Sequence, residues 1–293
     1  MVSILIPVYN CDVVKLVNDL EFQAMKLGMP FEIVCIDDNS TKHYHNYSLT
    51  EKENIVWTEL NENKGRSIVR NLLAEKSNYE NLIFLDCDMG VVSDHFIEDY
   101  IKLSTTEKVI VGGVSYTAKP PVENSKILHW KYGSNRESQS VKERVKHPYT
   151  SFMSGNFFVK KEVLNLICFD ETIKGYGHED TLFGIELKNK RVAISHINNS
   201  LQHLGLEDAN VFLEKSKNAI LNLAILIKSG KVDETVKIYR YYKSLKKFFL
   251  LPLFTAFYLL NKNRWLENLC SAKPNIRYFD LFKLGLLSEK LSE

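Results

Sequence analysis

Two periodicities alternate through the first 115 residues. Ser3-Ile4-Leu5-Ile6-Pro7-Val8 is a short, mostly apolar run and predicts a buried strand. Asp12 is placed to cap a following helix. In that helix Val13, Leu16, Val17, Leu20, Ala24 and Leu27 recur every three or four residues, which marks one apolar face. Glu32-Ile33-Val34-Cys35-Ile36 predicts a second strand, running into Asp37-Asp38-Asn39-Ser40. Ile55 to Thr58 reads as a third strand, Gly65 to Lys76 as a helix, and Leu82 to Leu85 as a fourth strand. Ser93 or Asp94 opens another helix, and Lys108 to Val114 gives a fifth strand. Alternation of this kind implies right-handed crossovers and a mostly parallel sheet.

After Val114 the pattern breaks. Residues 115–150 are polar, with Lys119-Pro120-Pro121 and a charged stretch from Arg136 to Lys146, and predict an irregular segment. Connections of that length are commonly functional or mobile. Regular structure resumes near Ser154-Gly155-Asn156-Phe157-Phe158-Val159, and helical patterning returns from Glu179 to Lys190. From about Asp208 onward the chain reads as helical, and no internal repeat is present. The natural division therefore falls near residue 207, between an α/β domain and a helical extension over 208–293.

The extension has its own character. From Lys228 to Lys247 there are seven Lys or Arg against two acids. The thirteen residues from Phe248 to Leu260 are mostly apolar, too few to span a bilayer, and interrupted by Pro252. A basic helix followed by an aromatic-rich apolar segment fits interfacial membrane contact through 228–260. Packing over the α/β domain or at a dimer interface fits equally well.

Composition narrows the class. The chain has 293 residues, 45% hydrophobic and 25% charged, with ample material for a core. A formal net charge of +2 gives no global bias toward nucleic acid. The five cysteines are dispersed and form no C-x-x-C pair, so neither a zinc site nor a disulfide framework is indicated. A reducing, cytoplasmic location is the simplest expectation, with peripheral attachment at the inner face of the membrane as its variant. Met1 leads directly into a strand-like run, so no secretory signal is expected.

Candidate chemistry collects where strands should end. Leu82-Ile83-Phe84-Leu85 delivers Asp86-Cys87-Asp88 to a strand terminus. Ligands of open α/β sheets bind outside the carboxyl ends of strands. Paired carboxylates there suit a hard divalent cation that bridges to substrate phosphates. Pro7-Val8-Tyr9-Asn10, Asp37-Asp38-Asn39-Ser40 and Gly175-Tyr176-Gly177-His178-Glu179-Asp180 form three further clusters. Each alone reads equally as a turn with a helix cap. The four in this order are harder to dismiss.

Together with Asn63-Lys64-Gly65-Arg66-Ser67-Ile68-Val69-Arg70-Asn71 and Ser154-Gly155-Asn156, these segments resemble inverting glycosyltransferases of family 2, which have the GT-A fold. The resemblance spans roughly residues 1–205. It implies a nucleotide-binding half over 1–115 and an acceptor-binding half over 116–207. It also implies that Pro7, Val8 and Tyr9 line the nucleotide base and that Asp38 accepts a hydrogen bond from uracil, favouring a UDP-sugar donor. Arg66 or Arg70 would reach the nucleotide, and for Arg70 a structural pair with an aspartate is the equal alternative. Asp88 would bind Mn²⁺ or Mg²⁺, with Asp86 on ribose or metal-bound water and His203 as a further ligand. Asp180 would be the general base, with Glu179 on an acceptor hydroxyl. A helix start lowers a carboxylate's pKa, whereas a dry pocket or Glu179 raises it. Gly155 and Asn156 would lie beneath the acceptor, and His178 would shape acceptor preference. Trp130, Tyr132 and Tyr149 could stack on sugar rings or fill a core.

The activity implied is inverting, metal-dependent sugar transfer to a hydroxyl of a glycan or a lipid-linked saccharide. A non-catalytic nucleotide-sugar or glycan-binding module is the alternative from another class. A nucleotidyltransferase would usually show a Gly- and Arg-rich loop after the first strand, and Tyr9-Asn10-Cys11-Asp12 does not provide one. A Rossmann dehydrogenase is excluded because no G-x-G-x-x-G follows any strand.

Overall fold

The computed structural model describes residues 1–42, 44–173 and 175–292. In chain order the elements begin with β1 (Val2–Val8), α1 (Val14–Lys26), β2 (Phe31–Asp37), β3 (Ile55–Glu59), α2 (Arg66–Lys76), β4 (Asn81–Leu85) and β5 (Met89–Gly90). Then come α3 (Phe96–Leu103), β6 (Val109–Val111), β7 (Val114–Ser115), α4 (Ile127–Tyr132), α5 (Val141–Lys146), β8 (Asn156–Lys160) and α6 (Lys161–Leu166). The chain ends with α7 (Glu179–Asn189), β9 (Ser195–His196), β10 (Leu201–His203), α8 (Ala209–Lys228), α9 (Lys237–Lys247), α10 (Leu251–Leu269) and α11 (Ile276–Ser292).

Two compact units share these elements. The first comprises Met1–Tyr116, Ser138–Thr172 and Glu179–Gly205. Its main sheet has seven strands in the order β3-β2-β1-β4-β8-β6-β9. Strands β1 to β4 are mutually parallel, β8 runs antiparallel to β4 and β6, and β9 returns parallel to β6. A small sheet, β5-β10-β7, lies at the ends of these strands in sequence. A mostly parallel sheet flanked by helices is the fold class expected.

The strands are apolar on both faces because helices cover both. Along β1 successive side chains point to opposite sides. Ile4, Ile6 and Val8 join the core shared with α1 and α3, whereas Leu5 joins the core shared with α2 and α7. Ser3, fully buried between them, donates its hydroxyl to Glu32 Oε1 at 2.5 Å. In α1 the predicted stripe of Val13, Leu16, Val17, Leu20 and Ala24 is buried, and Asp12 Oδ1 accepts the Val14 amide at 3.0 Å.

Two expectations need correction. Helix α3 begins at Phe96, not at Ser93 or Asp94. Ser93 instead forms a turn, its Oγ accepting the His95 amide and its carbonyl accepting Gln23 Nε2. Residues 115–150 are not wholly irregular, because α4 and α5 lie within them. Each helix has six residues, too few to display a periodicity in the sequence.

The second unit comprises Thr117–Glu137, Ile173–His178 and Leu206–Glu293. It gathers α4 and the segment 173–178, which the sequence pattern placed with the α/β domain, together with helices α8 to α11. Leu128, Phe212, Leu213, Leu269 and Phe279 form one cluster of its core, and Tyr258, Trp265 and Phe282 form another.

Candidate active site

Strands β1 and β2 end side by side, Val8 opposite Asp37. The chain leaving β2 is then fastened in both directions. The Asp38 amide donates to the Val8 carbonyl at 2.8 Å. Asp38 Oδ1 accepts the Lys64 amide at 2.6 Å and Oδ2 the Gly65 amide at 2.9 Å. Its own carbonyl accepts Asn63 Nδ2 at 3.0 Å. Asp38 is only 4% exposed, and burial pushes its carboxyl up while the two amides pull it down. Gly65, at φ +87°, makes the left-handed turn that opens α2 above this carboxylate.

Around the end of β1 the expected base-lining residues separate. Tyr9 is 48% exposed and Pro7 partly buried. Val8 is corrected: its side chain is 1% exposed and belongs to the core, so it presents no face to a ligand. Asn10, at φ +52°, accepts the amides of Thr41 and Lys42 on Oδ1, both at 2.8 Å, and fixes the following loop beside Tyr9. Asp37 Oδ1 accepts the Ser40 amide at 2.7 Å. An open cavity of about 520 Å³ adjoins these strand ends, with Asp37, Ser40, Tyr44, Tyr47, Trp57 and Glu59 in its wall.

Helix α2 carries the charges that organise the site. Arg66 and Arg70 are one turn apart on one face. Arg70, 1% exposed, donates from one terminal nitrogen to Asp86 Oδ1 at 2.7 Å and from the other to Glu179 Oε1 at 3.2 Å. Arg66 donates to the same Glu179 oxygen at 3.2 Å. The Arg70 guanidinium also lies over the Phe169 ring, 5.4 Å from its centroid. The two guanidiniums thus join α2, the end of β4 and the start of α7. Burial opposes ionisation of both Asp86 and Glu179, but Arg66 and Arg70 outweigh it and hold both carboxyls below the usual carboxylate range.

Asp180 shares none of those arginine bonds. Its Oδ1 accepts the Thr181 amide at 2.6 Å. Burial, then the charge of Glu179, push its carboxyl up to about 6. Of the two opposing influences expected at this helix start, desolvation and the neighbouring carboxylate prevail. Adjacent residues on one turn therefore differ: Glu179 is fixed as an anion, and Asp180 titrates close to neutrality.

Asp88 emerges beyond β4 and meets His203 from β10. His203 pairs with Met89 across β10 and β5, and the Leu204 amide donates to the Asp88 carbonyl at 2.9 Å. Asp88 Oδ2 lies 3.5 Å from His203 Nε2. Tyr116 stacks on the imidazole, ring centroids 5.2 Å apart, and so orients it. A Cβ at Gly205 would fall 2.7 Å from Asp88 Cβ, so glycine is needed for this approach. Among the described residues no group of three or more His, Cys, Asp and Glu side chains could hold a metal. The donors that do face each other are one carboxylate and one imidazole, while Asp86 Oδ1 is occupied by Arg70. That set fits a divalent cation shared with substrate phosphates and water, the usual manner for Mg²⁺, and does not form an all-protein cage.

Of the expected acceptor residues in the first unit, Gly155 and Glu179 border the Asp86–Arg70 pair, whereas Asn156 does not. Gly155 lies against Asp86: its carbonyl accepts the Asp86 amide at 3.1 Å, and a Cβ there would come 2.8 Å from Asp86 Oδ2. Asn156 is corrected. It is 2% exposed, donates to the Gly113 and Asn199 carbonyls, both at 2.8 Å, and accepts the Tyr100 hydroxyl at 2.7 Å. It ties β8 to the loops after β6 and β9, and its side chain is buried in that role. His178 adopts φ +70° in the second unit, beside Gly177 at φ +98°. Trp130 donates its indole N–H to the Thr117 carbonyl at 2.9 Å. Tyr132 packs on Phe212 and Phe279, and Tyr149 packs against the α2 and α7 core. Tyr116 carried no motif, and only the tertiary structure brings it to His203.

Residues 3–166, more than half of the chain, match the sequence profile described as Glycosyl transferase family 2. The chain belongs to this family and has its GT-A fold. No curated protein sequence matches it. Among solved structures it is similar to S. aureus TarS residues 1–349 in complex with UDP, at 19% identity and a TM-score of 0.49, over 75% of this chain and 64% of that one. It is similar to the same TarS segment in complex with UDP-GlcNAc, at 20% identity and a TM-score of 0.48, over 75% and 66%. Against S. aureus TarS itself the identity is 19% and the TM-score 0.49, and this chain covers 41% of that one.

Proposed function

We propose that this glycosyltransferase moves a sugar from a UDP-sugar to a hydroxyl of a glycan or lipid-linked saccharide, with inversion and with Mn²⁺ or Mg²⁺ as cofactor. The observation that carries the reading is the ion-pair network of Arg66, Arg70, Asp86 and Glu179. It ties Asp86, after β4, to the helix that begins with Glu179-Asp180 through the buried Arg70. Beside this network Asp180, raised by burial and by the charge of Glu179, supports a proton-transfer role.

The donor would lie over the ends of β1, β2 and β4. Tyr9 offers a flat apolar face to the base. Asp38 already accepts two backbone amides, and each oxygen keeps a further lone pair for a ring N–H. Asp88 and His203 would hold the divalent cation. When bound, it would neutralise charge gathering on the departing diphosphate. Inversion requires the acceptor oxygen to attack the anomeric carbon opposite the leaving group while a base takes its proton. Asp180 would accept that proton, and its elevated pKa brings it near the matching condition for a general base. Glu179, held as an anion by two arginines, would be unsuited to exchange protons and would position Asp180 instead.

Thermal stabilisation across a panel of nucleotide-sugars with Mn²⁺ tests the donor, because a ligand of the native state raises its apparent stability. We expect a selective rise with one UDP-sugar, lost without the cation and in Asp88→Ala. Release of UDP in the presence of acceptor tests transfer. UDP binding without release, equal in the parent and in Asp180→Asn, would show a binding module instead.

A further inference from the structure

We infer that the corner between α9 and α10 is a membrane-insertion element that docks the second unit on an anionic lipid surface. Its evidence is the surface of one unit and stands apart from the transfer reading.

Helix α9 reads Lys-Ile-Tyr-Arg-Tyr-Tyr-Lys-Ser-Leu-Lys-Lys, five cations and no acid in its eleven residues. It ends in Phe248-Phe249-Leu250, and all three are exposed, Phe249 to 90%. Phe249 also has φ +57°, a left-handed conformation that aromatic L-residues rarely adopt. The fold therefore holds a large apolar side chain in water on a strained backbone, where Gly or Asn would relieve both costs. Strain of this kind persists where function uses the residue.

Helix α10 continues the surface. Tyr258, Trp265 and Leu269 lie in the core of the unit, so one face of the helix is accounted for. Leu253, Phe257 and Leu260 recur at the helical interval on a neighbouring face and are exposed, Leu253 to 71% and Leu260 to 85%. No helix among the described residues is long and apolar enough to cross a membrane. Exposed aromatic and aliphatic residues flanked by lysines are what partial insertion at the headgroup boundary requires. Neither signal suffices alone, since a modest apolar insertion and a basic patch each give weak, reversible binding.

Charge selects the bilayer over a second copy of this chain. A two-fold contact would set the same surface against itself and bring two lysine-rich α9 helices together. An anionic lipid surface complements both the cations and the apolar tip.

Vesicle co-sedimentation of the full chain tests this without donor or acceptor. The parent is expected to pellet with phosphatidylcholine–phosphatidylglycerol vesicles, not with phosphatidylcholine alone, and less as salt is raised. Phe249→Asn combined with Leu253→Ser should weaken binding by roughly tenfold or more. Because Asn suits the left-handed backbone, that variant should melt no lower than the parent, which separates lost binding from lost folding. Equal pelleting of parent and variant overturns the inference, as does a parent that stays in solution with both vesicle types. A concentration-dependent dimer abolished by the same substitutions, with no vesicle binding, also overturns it. Transfer activity toward a soluble acceptor should survive the substitutions, so failure here leaves the catalytic reading to its own test.

Discussion

Arg70 and Asp86 form a 2.7 Å ion pair in which the arginine is almost wholly buried, and the same guanidinium reaches Glu179 from its other nitrogen. One planar cation thus serves two carboxylates from different elements. Replacing Arg70 with Met would leave the buried Glu179 and the partly exposed Asp86 with Arg66 as their remaining near cation. Breaking a buried pair by removing one partner costs about 3–5 kcal/mol. We expect Arg70→Met to lower the denaturation midpoint by a corresponding amount. Arg70→Lys should recover little, because an ammonium lacks the fork that spans both partners. Urea unfolding of the three proteins checks this, and a midpoint unchanged in Arg70→Met would show that the pairing is incidental.

Asp180 predicts opposite signs for activity and stability. Its carboxyl is raised from 3.8 to about 6, so the base form is lost as pH falls through 6. The rate should then drop about tenfold per pH unit on the acid limb, and Asp180→Asn should lose roughly 10²–10⁴ in kcat. For stability, a raised carboxyl pKa means the folded state favours the protonated form. The native state therefore gains as pH falls from 6 toward 3.8 and is penalised above 6. Asp180→Asn, which cannot ionise, should melt higher than the parent at pH 7.5. A lower melting point would mean that the carboxylate is a structural anion.

The sequence disclosed most of the first unit and little of what joins it. Buried strands and the α1 stripe were legible because apolar period and burial coincide there, as in Leu16, Val17 and Leu20. Asp86, Asp88 and Asp180 stood out because clustered carboxylates at strand and helix ends are costly without a task. What could not be read was partner choice. Asn156 resembles an acceptor residue in its motif, yet three hydrogen bonds to Tyr100, Gly113 and Asn199 occupy it. Val8 belongs to a ligand-lining motif, but the alternation of β1 turns it inward. Arg144 and Tyr116 lie in a stretch without periodicity, and only long-range packing gives them partners.

Arg144 supplies the last prediction. It is buried at the end of the main sheet and donates to the carbonyls of Val111 at 2.9 Å, Gly112 at 3.0 Å and Ile197 at 2.7 Å. It also lies 3.2 Å from His196 Nδ1, while His196 Nε2 lies 2.9 Å from the Pro148 carbonyl. A carbonyl only accepts, so Nε2 carries the hydrogen and Nδ1 accepts from the arginine. Burial lowers the His196 pKa below 6.5, and Arg144 lowers it further against the opposing Pro148 carbonyl. The folded state thus prefers neutral His196, whereas the unfolded chain protonates it near 6.5. This contribution is complete above 6.5 and is lost as pH falls toward the lower folded value. Asp180 acts alike in both proteins, so the melting temperature of the parent should fall relative to that of His196→Gln, which does not titrate, as pH goes from 7.5 to 5.5. Arg144→Met would take the arginine donor from the Ile197 carbonyl, while the Val111 and Gly112 carbonyls keep the amides of Ile197 and Asn199, and should cost roughly 1–3 kcal/mol. If parent and His196→Gln melt along parallel lines across this range, the histidine does not couple protonation to folding.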